Sequence, residues 1–192
     1  MIRTKSIISL FLLIATSCSV FQDIGPSKYS WGSFSAKING KVWGESYSGG
    51  FQEIRGDTFQ GGNAENQCPE ESHSISFDWF NKQGFHRENL ILRKIPLLSG
   101  KHQVIPNPSK CKMTDPIYAM FYTSTDDGDV LGDIYTILPT QDNFVQIDNY
   151  DNYTKEIKGK FQLTFVIKSI GGNHVLPDTL RLTEGRFHTK IK

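Results

Sequence analysis

Cysteine is scarce in this chain, and the motifs that mark the common enzymes are missing. Only three of the 192 residues are Cys, and no Cys-x-x-Cys pair or His-x-x-x-His spacing accompanies them; that argues against the usual zinc sites. A Gly-x-Ser-x-Gly elbow is absent, which excludes the common α/β-hydrolase nucleophile. His-Glu-x-x-His is absent too, which excludes the common zinc peptidases. Charge of one sign is also lacking: 21 Lys and Arg stand against 20 Asp and Glu, for a formal +1. With no basic run, nucleic acid is not an expected partner. No stretch of ten or more residues carries a helical period, and no internal repeat occurs.

What is present begins at the N-terminus. Arg3 and Lys5 precede an apolar stretch over residues 7–15, followed by Ala15-Thr16-Ser17 and Cys18. A basic start, a short apolar core and small residues before a cut make an export signal. The core is too short to span a bilayer, which takes about 20 residues. Cys18 directly after the small residues resembles a bacterial lipobox, although Ala15 departs from the bulkier aliphatic residue usual there. The expected organisation is a removed signal over residues 1–17, a lipidated Cys18 with a tether over 18–30, and one domain over 31–192. Several acyl chains on one residue make a stable membrane attachment. Loss of Arg3 and Lys5 would leave the mature chain, about 175 residues, near a charge of about −1.

With Cys18 assigned to lipid, Cys68 and Cys111 remain as a pair. An exported compartment permits a disulfide between them. It would close a loop of about 43 residues, worth about 4 kcal/mol in the chain-entropy picture. Alternatives are two free thiols, a metal site with His73, and a Cys68 nucleophile beside His73. The five histidines, His73, His86, His102, His174 and His188, are scattered along the chain and read as surface or turn residues. Asp126, Asp127, Asp129 and Asp133 surround Gly128. Carboxylates in a tight turn suit Ca²⁺, but EF-hand spacing is absent and Asp-Gly is a favoured hairpin turn in any case. Neither a metal nor another cofactor is called for.

Strand signals dominate the rest. Phe34, Ala36 and Ile38 alternate with polar residues and lead into Asn39-Gly40, the strongest short hairpin signal. A two-residue turn there pairs Ile38 with Lys41 and Ala36 with Trp43, and places Trp43 on the face of Phe34. Asp127-Gly128 predicts a second hairpin over residues 117–137, pairing Phe121 with Ile134 and Tyr122 with Asp133. Ile75, Phe77 and Trp79 alternate with polar residues. Leu90 and Leu92 begin a strand that Pro96 should end. Over residues 157–168, Ile157, Phe161, Leu163, Phe165 and Ile167 share one parity. Later the apolar phase slips from Leu180 and Leu182 to Phe187 and Ile191, which predicts a β-bulge near Glu184-Gly185. Residues 47–66 are Gly-rich and read as a loop with a short strand near Thr58. The fold class is all-β: a single antiparallel β-sandwich-like domain, with a partly open β-barrel as the alternative.

Phe34-x-Ala36-x-Ile38-Asn39-Gly40-x-x-Trp43 soon after a lipobox, with Ile157-x-Gly159-x-Phe161 and Leu182-x-x-Gly185-x-Phe187 near the end, resembles small uncharacterised lipoproteins of Bacteroidota. The resemblance covers the chain from about Phe34 onward. It implies an outer-membrane lipoprotein with an all-β domain, and it carries over no catalytic residue. Acidic residues just after the Cys often accompany surface export in that phylum; Ser19-Val20-Phe21-Gln22-Asp23 matches that poorly, so a periplasm-facing and a cell-surface location both stay open.

Exposed planar aromatics among amides and carboxylates suit glycan or peptide recognition. Phe80 lies on the parity opposite Phe77 and Trp79, and Tyr150 and Tyr153 sit in and directly after the Asp/Asn-rich stretch 148–152. These three are the ligand-binding candidates; their alternative role is to cap the core from loops. The expected function is a non-enzymatic binding or structural module of the cell envelope, tethered to a membrane, with a glycan, peptide or envelope protein as partner. The alternatives are a carrier of lipid or small ligands in a β-barrel, and a hydrolase whose site is built from loop residues.

Overall fold

A computed structural model describes residues 25–60, 71–108, 116–172 and 174–192. Cys18, Cys68 and Cys111 lie outside the described residues, and with them the lipidation and disulfide readings. Among the described residues there is no helix; eleven strands form one mixed sheet.

The chain begins with a hairpin of β1 (Gly32–Ile38) and β2 (Lys41–Val42). Ile38 pairs with Lys41 as the turn chemistry requires, and Trp43 N–H bonds the Ala36 carbonyl at 2.9 Å. Asn39 and Gly40 both take positive φ, 50° and 84°; few residues other than Gly and Asn accept that conformation. A run of antiparallel neighbours follows: β3 (Phe51–Gln60), β4 (Glu71–Phe80), β5 (His86–Arg93) and β7 (Ile117–Thr125). On the other side β1 pairs β11 (Thr179–Lys190), and β11 pairs β10 (Glu156–Ser169).

Between β7 and β10 the sheet forks. At one end β8 (Val130–Ile137) joins them. At the other, β6 (Gly100–Pro106) and β9 (Phe144–Tyr150) fill the gap, with β6 parallel to β7. The far edge of the sheet curls back: Lys192 N–H bonds Gly56 O at 3.0 Å, and Thr58 N–H bonds Lys192 O at 2.9 Å. The architecture thus agrees with the expected all-β sandwich or open barrel, with its sheet in part a ring.

Alternation fills the space between the walls. Phe77 is fully buried, and its ring meets Phe34, Phe161 and Phe187 at 5.3, 5.4 and 5.8 Å. These rings come from β1, β4, β10 and β11, so opposite walls touch through aromatic edges and the centre is packed.

Three expectations need correction. First, the Asp127-Gly128 turn spans four residues, with Asp126 as well as Gly128 at positive φ. Beyond it the register shifts between Tyr122 and Ser124, so Phe121 pairs with Tyr135 and Tyr122 with Ile134. The cause is at Thr123, whose Oγ1 accepts the Asp133 N–H at 2.8 Å and replaces a ladder bond. Second, the strand near Thr58 is ten residues long. Gly56 hid it, because an inward Cβ there would sit 2.5 Å from the Lys190 carbonyl. Third, the bulge in β11 falls where the phase slip placed it, but Glu184 takes the positive φ, 54°. Gly185 instead makes room for the Phe161 ring, 2.5 Å from where a Cβ would stand.

Gly44, just past the first hairpin, has φ +87°, and a Cβ there would lie 2.1 Å from the Trp79 ring. Gly40 has a similar φ and open space. Gly44→Ala should therefore cost about 3 kcal/mol, strain and overpacking together. Gly40→Ala should cost about 1 kcal/mol, from strain alone. Urea unfolding midpoints of the two variants check the difference.

Candidate functional site

One end of the sheet gathers the ends of β1, β4, β7 and β10 and the beginnings of β5, β8 and β11. A cleft of about 520 Å³ opens there, within the range of small-molecule sites. The β1–β2 hairpin and the turn after it form one wall, and residues 175–177 form the other. Val42 and Val175 are 60% and 80% exposed on these walls, and Ile38 and Leu176 line the cleft from the core side.

Trp43 and Glu88 lie at the base of this cleft and are both buried. Glu88 shares parity with Leu90 and Leu92 on β5, so the strand turns it inward. Its neighbours across the sheet are Trp79 and Thr123. Tyr47 O–H donates to Glu88 Oε1 at 2.8 Å, and Trp43 Nε1–H donates to Oε2. Burial pushes the Glu88 carboxyl above its usual range, and the two hydrogen bonds only partly oppose that. Tyr47 is pushed up as well, first by burial and then by the Glu88 charge. A buried acid with a displaced pKa at the base of a cleft is the ordinary mark of a binding or reactive site.

The second wall is pinned by charge. Asp133 is fully buried and accepts Gly171 N–H at 2.9 Å. His174 Nδ1 reaches Asp133 at 2.9 Å, and Nε2 reaches Asp178 at 3.1 Å. Both ring nitrogens face carboxylates, so the imidazolium, a donor at both, is favoured. The Asp133 hydrogen bond, followed by the charges of Asp133 and Asp178, raises the His174 pKa. Tyr135 O–H reaches the Leu176 carbonyl at 3.4 Å. A raised histidine pKa stabilises the fold fully below its unfolded value, near pH 6.5, and the gain is lost as pH rises through the folded value. Protection of the Gly171 amide, which donates to Asp133, from hydrogen exchange should therefore fall with rising pH, beyond the intrinsic rate. In His174→Gln that extra dependence should vanish.

A second polar cluster lies on the outer face of β4, β5 and β7. Asp78, 3% exposed, accepts from His86 Nε2 at 3.0 Å, Arg55 at 3.2 Å, Ser76 Oγ at 2.9 Å and Asn89 Nδ2. Burial alone would raise its pKa; the bond and charge of His86, then the charge of Arg55, outweigh burial and lower it. His86 Nδ1 lies 2.8 Å from Ser124 Oγ, which completes a carboxylate–imidazole–hydroxyl chain.

The aromatic candidates are divided between the two ends of the sheet. Phe80 stacks on Phe51, ring centroids 4.9 Å apart and 7° from parallel, and its edge meets His86 at 5.3 Å. Tyr150 and Tyr153 sit at the opposite end, where β9 passes into β10. Tyr150 packs on the core, while Tyr153 is 95% exposed in a turn held by Asp151 Oδ1. The aspartates around Gly128 also part company: Asp127 and Asp129 lie close together at the exposed turn, and Asp133 turns to His174. Among the described residues no group of three or more His, Cys, Asp or Glu is placed to hold a metal ion.

Sequence reasoning missed Glu88, Tyr47 and His174. For Glu88 a signal existed, an acid on the apolar parity of a strand. Tyr47 and His174 meet partners 41 residues away and leave no local trace. No protein-family model, curated protein or solved structure matches the chain.

Proposed function

We propose that the chain is a lipid-anchored protein of the bacterial cell envelope whose β domain is a non-enzymatic binding module, with the cleft above Glu88 as its binding site. The observation that carries the reading is the cleft itself: exposed valines on facing walls around a buried carboxylate. Exposed aliphatic walls do nothing for the fold, and such a rim with a few convergent polar groups is what small-molecule sites have. The N-terminal signal supports the anchor, and the resemblance to Bacteroidota lipoproteins supports an outer-membrane address.

Two measurements test this. Wild-type chain expressed in a bacterium should fractionate with membranes and carry acyl mass at Cys18, whereas Cys18→Ser should lose both; unchanged fractionation and mass would remove the anchor. Nile red, a neutral apolar dye, should bind the full chain and brighten. Val175→Asp should weaken that binding at least about tenfold, with the fold unchanged because Val175 is exposed.

The Asp78–His86–Ser124 chain favours one other reading, a hydrolase with Ser124 as nucleophile, His86 as base and Asp78 as its orienting carboxylate. A fluorophosphonate probe should then label wild type and leave Ser124→Ala unlabelled. No labelling of wild type would dismiss that reading.

A further inference from the structure

We propose that the cleft takes an amphiphile with a protonated amine at its head, the ammonium group seated on Glu88 and the apolar body held between Val42 and Val175. The inference rests on the reading of the cleft as a binding site and names its ligand class.

The argument starts from what Glu88 lacks. A carboxylate offers about four lone-pair positions. Tyr47 fills one on Oε1 and Trp43 one on Oε2. Both donors are neutral. Among the described residues no Lys, Arg or His lies within ion-pair distance of Glu88. Of the three other buried acids among the described residues, Asp78 has Arg55 and His86, Asp133 has His174, and Glu53, which lies away from the cleft, accepts from the Ser27 N–H and hydroxyl. A buried carboxylate without a counter-ion is costly, and a cation with several N–H donors relieves that cost most directly.

The existing bonds also fix the polarity of the site. An indole N–H only donates, so Trp43 holds Oε2 of Glu88 as an acceptor, and a donating head completes the ionised carboxylate. An ammonium head has three donors and no acceptor. Carboxylate or phosphate heads meet like charge from Glu88, and from Glu45, which also lines the cleft. Lys41 lines it as well, on the exposed β1–β2 hairpin, and pairs with neither acid. The walls select the rest of the ligand. Val42, Val175 and Leu176 offer apolar contact, and of the neutral polar groups on the lining, Asn39 already spends its amide on Thr179 O and Arg181 N–H, leaving Ser46, so an alkyl or aryl body fits better than a sugar.

The test is displacement of Nile red from the full chain at pH 7 by octylammonium, octanol and octanoate, each below its aggregation concentration. Octylammonium should displace the dye at a concentration at least about tenfold lower than octanol, because hydrogen bonds to charged groups are about twice as strong as neutral ones. Octanoate should be weakest. In Glu88→Gln the advantage of the ammonium over octanol should shrink to within about twofold. Octanol or octanoate matching octylammonium on wild type would overturn the inference, as would an ammonium preference that survives in Glu88→Gln. The wild-type comparison stands whether or not the variant folds. If neither the dye nor any alkyl compound binds, the cleft reading falls and takes this inference with it. Equal binding of all three alkyl compounds removes the ammonium inference alone.

Discussion

Phe77→Ala should destabilise the domain by about 4 kcal/mol, the largest loss expected from a single side chain. Phe77 has no exposed surface and touches rings from three other strands, Phe34 on β1, Phe161 on β10 and Phe187 on β11. Removing it opens a cavity where both walls meet. The walls cannot close over that gap without moving β10 and β11, which Gly159 and Gly185 already hold against Phe187 and Phe161. Part of the cost is lost burial, and part is the unfilled void, about 24 cal/mol per Å³ in comparable cases. Phe77→Leu should cost roughly half as much, because most of the volume remains. Equilibrium urea unfolding, with the slope checked for constancy, measures both. A loss under about 1 kcal/mol for Phe77→Ala would show that the centre is not packed as described.

Asp78→Ala should cost about 3 kcal/mol, through a different mechanism. The carboxylate is the shared acceptor of His86, Arg55, Ser76 and Asn89. Its removal strands buried donors, and breaking a buried charged pair from one side leaves the other side uncompensated. Arg55 is partly exposed and can turn to water; Asn89, 1% exposed, cannot. Asp78→Asn keeps an acceptor oxygen and should cost less. The lowered Asp78 pKa fixes the sign with pH. Its contribution is present above the unfolded carboxyl value, near pH 3.9, and is lost as pH falls through the folded value. Stability of wild type should therefore fall more steeply than that of Asp78→Ala as pH is lowered from about 4.

Local chemistry was legible in the sequence, and contacts between distant segments were not. Asn39-Gly40 announces its own hairpin, because two positive φ values in succession are a demand on those two residues alone. Asn39 then does something no local rule contains: its amide bonds Thr179 O and Arg181 N–H, tying the hairpin to β11. The alternation in 157–168 places β10, since period two is visible wherever one face is buried. The register of β7 on β8 departs from the turn rule because the hydroxyl of Thr123 takes a ladder donor, and a threonine in a strand does not advertise that. The full length of β3 is hidden in the sequence because Gly56 interrupts the pattern for the sake of a strand end 135 residues later, at Ile191. At the cleft, Glu88 was readable in principle from Leu90 and Leu92. Its opposite wall depends on Asp133 and His174, which only the fold brings together.

The three tryptophans give the most direct test of the account. Trp43 donates its indole N–H to Glu88 at the base of the cleft, Trp79 packs behind it under Gly44, and Trp31 sits on His188 and Lys190 at the opposite end. In a ¹⁵N–¹H spectrum of the full chain, each indole should give its own resonance. Titration with octylammonium should move the Trp43 resonance in a saturable way and leave Trp31 in place. A Trp43 resonance that stays fixed while Trp31 moves, or while neither moves up to the solubility limit of the amine, would contradict a binding site built on Glu88.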